Sequence, residues 1–389
     1  MATAAIHNDI ELTPSEVEGV RRSLGTATFL PPRIYADRAI FDEERKRVFG
    51  RSWLPLCHLS QLKQDGSYLA RQLFGEPVVA TRDKSGTVRV LSNVCRHRNA
   101  VIAQGSGACR GSRMVCPYHG WTYGLDGKLI GAPFMQETED FSRTDVKLPE
   151  IRHEVWQGFL FVTFDDDAPA LADLLATLTP KVAPFGMDRM RAVEVRRFTA
   201  PWNWKITMEN FTETYHQPFI HPVTANKTTP AEISRFDDSD GPWSMFWMPH
   251  HANEKTPTLT PAIDGLPDNY YRGFAVINVY PLLHIFTDAA TPLWLDWEIN
   301  DVEEHELVWY MMVPEQHITA ENTEELRQGF MSFIEPILLE DVEVCKAVGR
   351  GVKSALSRPG RLSRREKAVH LVLNWWLDAY TGERSAQVR

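Results

Sequence analysis

The chain has 389 residues, of which 43% are hydrophobic and 24% charged, a composition typical of a globular protein with more than one domain. Its formal net charge is -9, which argues against a nucleic-acid-binding face, because phosphate binding needs concentrated lysine and arginine. The sequence contains no apolar run of about 18 residues and no charged-then-apolar order at its start, so we expect no membrane contact and a cytoplasmic location.

The first part of the chain changes from a helical to a β pattern. Residues 40–48 have apolar side chains at helical spacing, which predicts a helical segment within residues 1–48 that packs on another part of the protein. Short apolar runs separated by glycine, aspartate and serine follow, and they predict a small β domain over residues 49–164. The acidic, proline-ended stretch 165–169 marks its end.

Two short segments inside this β region each supply one cysteine and one histidine: Cys95 with His97, and Cys116 with His119. Two thiolates and two imidazoles are the ligands of a Rieske [2Fe-2S] cluster, in which two histidines replace two cysteines on one iron. A tetrahedral zinc ion accepts the same ligands, but zinc fingers separate a cysteine pair from a histidine pair. The mixed pairing therefore favours the iron–sulfur cluster and predicts a protein that accepts electrons.

Residues 165–389 combine strand-like and helical patterns. Side chains alternate between residues 280 and 314, whereas residues 323–352 and 364–380 have apolar side chains at helical spacing. An antiparallel sheet with long helices is the expected arrangement. The predicted fold class is therefore α+β, with a small β domain followed by a larger mixed domain.

A second metal site is predicted near residue 216. In a segment expected to be helical over residues 203–216, His216 lies five residues before His221, which on one helix would turn the rings about 140° apart. Because Pro218 disfavours helical geometry at the residue before it, we expect the helix to end there and His221 to turn back. Two histidines and a carboxylate bind mononuclear non-haem iron and leave positions open for oxygen chemistry. The candidate carboxylates lie in the late helical stretch: Glu340, Asp341 and Glu343.

Two aromatic-rich regions of the larger domain are candidates for lining a substrate pocket. Aromatic rings would hold a quaternary ammonium by cation–π attraction, and the same rings would stack on an aromatic substrate. Two adjacent histidines are candidates for binding a substrate carboxylate. The candidate pocket residues are Trp243, Trp247, His250, His251, Phe286 and Trp294.

Over nearly its whole length the chain resembles the catalytic α-subunit of a Rieske non-haem iron oxygenase, in the aromatic-ring-hydroxylating dioxygenase superfamily. The resemblance rests on Cys95-x-His97, on the run from Cys116 through His119 to Trp121, and on residues 209–216 with His221. It implies a helix-grip fold for residues 165–389. It also implies that Asp341 is the carboxylate ligand of the iron, because the residues around it are similar to the family segment that carries this ligand.

The resemblance further implies a head-to-tail homotrimer in which the cluster of one subunit supplies electrons to the iron of the next. In the family a carboxylate three residues before the first iron histidine bridges the two centres. Here this residue is Glu213, with His119 of the partner subunit as its contact and Asn210 in the same active-site segment. A glutamate at this position and the short Asn210 to His216 spacing are similar to the carnitine, choline and glycine betaine monooxygenases. A simple orienting contact from Glu213 to His216 is the alternative.

The function implied is that of the terminal oxygenase of a multicomponent system, which uses O2 and electrons from NAD(P)H to hydroxylate or oxidatively demethylate a small molecule. A methylated or quaternary amine and an aromatic acid are the expected substrate classes, and a [2Fe-2S] cluster and mononuclear Fe(II) are the cofactors. The sequence has no Rossmann glycine pattern, so a separate flavin and iron–sulfur reductase, with or without a ferredoxin, should deliver the electrons. The alternatives are a cis-dihydroxylating ring dioxygenase and an electron-transfer protein with a ligand-binding domain.

Overall fold

Residues 10–251 and 255–383 are described by the computed structural model of the chain. They form two compact units. One unit runs from Trp53 to Ala168, and the other combines the residues up to Ser52 with those from Pro169 onward. The functional division predicted from the sequence, into 1–48, 49–164 and 165–389, stays a proposal.

The smaller unit is made of short antiparallel strands in three sheets. The sheet orders are β1-β10-β9, β4-β3-β2-β5 and β6-β7-β8. The strands are β1 (Leu54–His58), β2 (Ser67–Leu73), β3 (Glu76–Arg82), β4 (Val88–Ser92), β5 (Ser106–Ala108), β6 (Arg113–Val115), β7 (Thr122–Gly124), β8 (Leu129–Gly131), β9 (Arg152–Trp156) and β10 (Phe159–Thr163).

The larger unit contains one antiparallel sheet of seven strands among its described residues. The order across the sheet is β11-β17-β16-β15-β14-β13-β12, so all but one of the neighbouring pairs are consecutive in the chain. The strands are β11 (Met190–Ala200), β12 (Arg235–Phe236), β13 (Trp243–Pro249), β14 (Gly273–Val279), β15 (Leu283–Thr287), β16 (Leu293–Asp301) and β17 (Glu304–Pro314).

Helices of the larger unit pack on this sheet and on one another. The 29-residue helix α8 contacts α5, α6 and β11, and α9 contacts β13. Among the described residues, no helix has both the length and the apolar character needed to cross a bilayer. The helices are α1 (Pro14–Arg21), α2 (Arg38–Arg47), α3 (Leu171–Leu174), α4 (Thr179–Val182), α5 (Trp204–Phe211), α6 (Gln217–Ile220), α7 (Ala225–Thr228), α8 (Thr323–Gly351) and α9 (Lys367–Thr381).

The helix predicted over residues 203–216 is interrupted earlier than expected. Helix α5 begins after Asn203, whose side-chain oxygen accepts the Lys205 N–H, and it ends at Phe211. The hydroxyl of Thr212 donates to the carbonyl of Met208, which competes with helix propagation. Pro218 lies in the first turn of α6 rather than at a helix end, because a proline there needs no N–H partner. The prediction that Pro218 terminates the helix was wrong.

A buried ion pair joins the N-terminal segment to the helices of the same unit. Nζ of Lys205 on α5 lies 2.7 Å from Oε1 of Glu44 on α2, and the two side chains are 3% and 0% exposed. The Glu44 carboxylate also accepts the indole N–H groups of Trp204 and Trp376. One carboxylate therefore links α2, α5 and α9, and α5 is fixed at its first turn.

We expect loss of the Glu44 charge to destabilise the larger unit. Glu44→Gln keeps an oxygen for the indole donors but leaves Lys205 buried without a counter-charge, at a cost of about 3 kcal/mol in the free energy of unfolding. Adding Lys205→Met to this variant removes the unpaired charge and should recover part of the loss. Denaturant unfolding of the three proteins measures both effects, and a double variant less stable than Glu44→Gln would contradict the assignment.

Candidate active site and metal centres

The first candidate site lies in two loops of the smaller unit that share one backbone design. Each begins at a cysteine, Cys95 or Cys116, whose N–H donates to the carbonyl five residues later. The carbonyl of each cysteine accepts the N–H four residues later. That fourth residue has a positive φ in both loops, 57° at Asn99 and 71° at Gly120, and asparagine and glycine adopt this geometry most readily. The two cysteines are thus presented by matching loops.

These loops bring the four predicted cluster residues together. Cys95 and Cys116 are buried in the same hydrophobic core, whereas His97 and His119 are exposed, with ring centroids 4.7 Å apart. The ring of His97 stacks on Trp121 at a centroid distance of 4.8 Å, which orients the imidazole. Two adjacent buried thiols and two adjacent exposed imidazoles fit a [2Fe-2S] cluster whose histidine-bound iron faces outward.

The hydroxyl of Tyr123 lies 3.3 Å from Sγ of Cys95, and sequence reasoning did not single it out. It accepts the Arg96 N–H at 3.0 Å, so its own proton is available to the sulfur. Hydrogen bonds to ligand sulfur tune the potential of an iron–sulfur cluster. The only sequence signal was its place two residues after Trp121, the last residue of the second cluster motif.

The second candidate site lies in the larger unit, where the short helix α6 packs on α8. Nε2 of His221 lies 3.0 Å from Oδ1 of Asp341, and Nε2 of His216 lies 3.4 Å from the same oxygen. Each of the three side chains offers one ligand atom, and these atoms lie within 4.8 Å of one another. His221 and Asp341 are buried, and His216 is partly buried. Two imidazoles and one carboxylate converging on one point fit the ligand set of mononuclear non-haem iron.

The three candidate carboxylates of α8 have different surroundings. Asp341 faces both imidazoles, whereas Oε2 of Glu340 lies 2.7 Å from Nδ1 of His221 and accepts the Thr224 hydroxyl. Glu343 is on the outside of the helix and pairs with Lys346. Neighbouring residues on a helix point about 100° apart, so only one of them reaches the point between the imidazoles.

A carboxylate contacts the Nδ1 atom of each histidine, which leaves Nε2 facing Asp341. Nδ1 of His216 contacts Oε1 of Glu213, and Nδ1 of His221 contacts Glu340. A carboxylate at Nδ1 keeps the proton there and leaves Nε2 free to bind a metal. Burial lowers the pKa of His221, but the carboxylates of Asp341 and Glu340 outweigh it, so the net pKa is raised. The orienting contact of Glu340 was missed from the sequence, which offered this residue only as a possible ligand.

Asn210 and Glu209, at the end of α5, extend the site. Nδ2 of Asn210 donates to Oδ1 of Asp341 at 2.8 Å and so fixes the oxygen that faces the imidazoles. The hydroxyl of Tyr35 donates to Oε1 of Glu209 at 2.7 Å. Burial raises the pKa of Glu209 to about 8, despite this hydrogen bond and the nearby Lys205 charge. Glu209, Asn210 and Glu213 share the wall of a cavity of about 290 Å³.

A second cavity of about 90 Å³, which shares Asn210 and Glu213 with the first, lies against the histidines and Asp341, and its walls are mostly apolar. Its sheet wall is formed by Phe246, Val276 and Phe286, which are directly paired across β13, β14 and β15. Of the predicted pocket residues, Phe286 lines this cavity. The others belong elsewhere: Trp243 and Trp294 are buried outside its lining, Trp247 contacts Tyr270, His250 lies against Phe274, and His251 is exposed.

The alternation of side chains along β13 explains why Trp243 and Trp247 do not line the cavity. Successive side chains of a strand point to opposite faces, and Phe246 and Met248 face the cavity. Trp243 and Trp247, an odd number of residues away from Phe246, therefore point to the other face. The sequence identified an aromatic-rich region but did not indicate which of its side chains face the metal site.

Replacement of Glu340 should weaken metal binding. Glu340→Gln removes the charge that orients His221, and the loss of such an outer contact lowers metal affinity roughly 10- to 100-fold. Competition with a chelator, with bound iron measured by elemental analysis, gives the affinity. Glu343→Gln is the matched control, because it removes an exposed carboxylate three residues later on the same helix. Equal iron retention by the two variants would contradict the orienting role.

Glu209 should make stability depend on pH. Because its pKa rises from an ordinary 4.5 to about 8 on folding, the native state holds a proton that the unfolded state releases between these values. Its contribution to stability is present below about pH 4.5 and is lost as the pH rises through about 8. Relative to Glu209→Gln, the wild-type protein should lose on the order of 4 kcal/mol across this range. Denaturant unfolding of both proteins at several pH values measures the difference, and parallel curves would contradict the prediction.

Comparison with known proteins agrees with these two sites. The family of ring hydroxylating alpha subunits (catalytic domain) matches residues 187–382, and the Rieske [2Fe-2S] domain family matches residues 52–146. The glycine betaine monooxygenase oxygenase subunit of Chromohalobacter salexigens is 32% identical over 244 residues, which are 62% of this chain and 53% of that protein. The carnitine monooxygenase oxygenase subunit of Acinetobacter baumannii is 26% identical over 332 residues, 83% of this chain and 85% of that protein.

A solved structure of a quaternary ammonium Rieske monooxygenase has the same fold, with a TM-score of 0.78 at 22% identity, and the match covers 95% of this chain and 99% of that one. The predicted α+β fold class is thereby confirmed, as are the predicted cofactors, a [2Fe-2S] cluster and a mononuclear iron. The catalytic-domain family covers half of the sequence, and the Rieske family covers most of the smaller, β-rich unit. The chain therefore belongs to the α-subunits of the Rieske non-haem iron oxygenases.

Proposed function

We propose that the chain is the terminal oxygenase of a multicomponent monooxygenase, which hydroxylates or oxidatively demethylates a small organic molecule. The observation that carries this proposal is the convergence of His216, His221 and Asp341 beside an apolar cavity. A metal site alone would serve many functions, but an adjoining apolar cavity can hold a second reactant next to it. The relatives whose names designate glycine betaine and carnitine monooxygenases support the choice of monooxygenation.

In this proposal Cys95, His97, Cys116 and His119 hold the cluster, and His216, His221 and Asp341 hold the iron. When bound, the two groups supply single electrons and the activation of O2. The residues of the chain have positioning roles. Glu213 and Glu340 keep a proton on Nδ1 of each histidine, Asn210 fixes the Asp341 oxygen, and the apolar walls exclude water from the reacting centre.

Glu213 is also proposed to connect the iron site to His119 of the partner subunit in a head-to-tail homotrimer. Oε2 of Glu213 accepts the N–H groups of Tyr215 and His216, while Oε1 contacts only the His216 imidazole among the described residues. A carboxylate oxygen has two lone pairs, so Oε1 keeps one for a second donor. This geometry supports a bridging role in addition to the orienting one.

The remaining components are proposals of the same kind. Both relatives are named as oxygenase subunits, that is, as one part of a larger system. We propose that a separate flavin and iron–sulfur reductase, with or without a ferredoxin, delivers electrons from NAD(P)H to the cluster. A cytoplasmic location stays a prediction.

A single-turnover assay tests the proposed function without the reductase. The iron-replete protein is reduced chemically, exposed to O2 with methylated amines, aromatic carboxylates and neutral aromatic compounds in turn, and the products are identified by mass spectrometry. We expect a hydroxylated product, or formaldehyde with the demethylated substrate. His216→Ala, with its cluster absorbance unchanged, should give none.

Two results would contradict the proposal in different ways. A cis-diol as the product would assign the ring dioxygenase alternative. Unchanged turnover in His216→Ala would remove the iron triad from the reaction and favour an electron-transfer protein with a ligand-binding domain.

A further inference from the structure

The cavity beside His216 and His221 is lined mainly by apolar side chains, and five of them are phenylalanines. Phenylalanine rings contribute to it from the end of α5, from three neighbouring strands and from α8, and Phe333 at its edge stacks against Phe274 at a centroid distance of 6.1 Å. Phe333 is 53% exposed, so it lies where the cavity approaches solvent. The five rings are Phe211, Phe246, Phe274, Phe286 and Phe333.

Hydrogen bonds within the protein engage the uncharged polar side chains of the wall, except at Oε1 of Gln217, an acceptor without a partner among the described residues. The amide of Gln217 lies 3.2 Å from the sulfur of Met248, and the hydroxyls of Thr228 and Thr229 both donate to the carbonyl of Ala225. These groups offer few free hydrogen-bond donors to a ligand. A ligand anion would therefore meet few hydrogen-bond donors along this wall that could replace its lost hydration.

Every charged group in the described lining is either a carboxylate or a histidine of the triad. No lysine or arginine of residues 10–251 and 255–383 lines the cavity. His250 and His251, the sequence candidates for binding a substrate carboxylate, lie outside the lining. A metal held by His216 and His221 would have its charge offset by three carboxylates, because Asp341, Glu213 and Glu340 contact these two histidines.

This charge distribution disfavours one class of ligand. A carboxylate entering the cavity would lose its hydration, meet no lysine or arginine among the described lining residues, and approach Asp341 and Glu213. An apolar group would instead pack against the phenylalanine rings. Glycine betaine and carnitine, which the names of the two relatives contain, each carry a carboxylate.

We infer that this cavity selects a compact substrate that has no carboxylate and whose apolar part packs on the phenylalanine wall. The inference rests on the proposed function of the site and narrows its substrate class. Aromatic acids and betaines are then excluded, and amines, alcohols or hydrocarbons without an acidic group are retained. Specificity would then arise as much from the lack of a lysine or arginine among the described lining residues as from the shape of the wall.

Two pairs of ligands with nearly equal shape test this inference. Choline and glycine betaine share a trimethylammonium group, and 3,3-dimethylbutan-1-ol and 3,3-dimethylbutanoate share a tert-butyl group; only the second member of each pair has a carboxylate. Binding to the iron-replete protein is measured by calorimetry without O2. We expect the carboxylate-free member of each pair to bind at least about tenfold more tightly. Equal or tighter binding of either carboxylate, or no binding of both carboxylate-free ligands, would overturn the inference.

A variant at the edge of the cavity tests the cause. Phe333→Arg adds a cation there, and we expect it to tighten the binding of glycine betaine and 3,3-dimethylbutanoate by about tenfold. Phe333→Met, a change of similar size without charge, is the matched control and should keep the wild-type order. If Phe333→Arg binds both carboxylates as weakly as Phe333→Met does, the missing cation is not the cause and the inference fails.

The inference about ligand binding and the proposed function are tested by independent experiments. Calorimetry involves no turnover, so a reversed ligand order contradicts the inference even when the protein oxygenates other substrates. Absence of product in the single-turnover assay contradicts the proposed function even when the ligand order is as expected.

Discussion

A single carboxylate oxygen organises the catalytic unit of this protein. Oδ1 of Asp341 faces the Nε2 atoms of His216 and His221 and accepts the amide of Asn210. These residues come from the end of α5, from the two sides of α6 and from the middle of α8. The chain must therefore break its helix after Phe211, turn twice within ten residues and meet α8 at one point. The packing of α5 and α6 on α8 satisfies this requirement.

Buried charges hold α5 in the position that this convergence requires. The N-terminal segment supplies Glu44, which pairs with Lys205, and Tyr35, which donates to Glu209. Neither Lys205 nor Glu209 lines the cavity beside the histidines, and both contacts involve groups that are costly to bury without a partner. Residues that precede the β unit in the chain thus belong physically to the catalytic unit, and they support the helix that ends at the metal site.

The two sides of the metal site differ in chemistry. On one side, carboxylates contact the Nδ1 atoms of the histidines and an amide contacts the Asp341 oxygen. On the other side, phenylalanine rings and aliphatic side chains form the adjoining cavity. The polar side fixes protons and orientation, and the apolar side removes water and admits hydrocarbon surface. This division suits a reaction that needs charged groups for the metal and a dry space for the substrate.

The sequence by itself determined the features that depend on neighbouring residues. The cluster ligands lie two or three residues apart within single loops, the paired histidines lie five residues apart, and side-chain periodicity determined the α+β class. Tertiary structure decided the rest. Asp341 could be preferred to Glu340 only by family resemblance, because the two are adjacent and packing of α8 alone gives them different partners. Phe246 rather than Trp247 faces the cavity because alternate side chains of β13 point to opposite faces of the sheet. Which set of side chains faces the cavity depends on the pairing of β13 with its neighbouring strands.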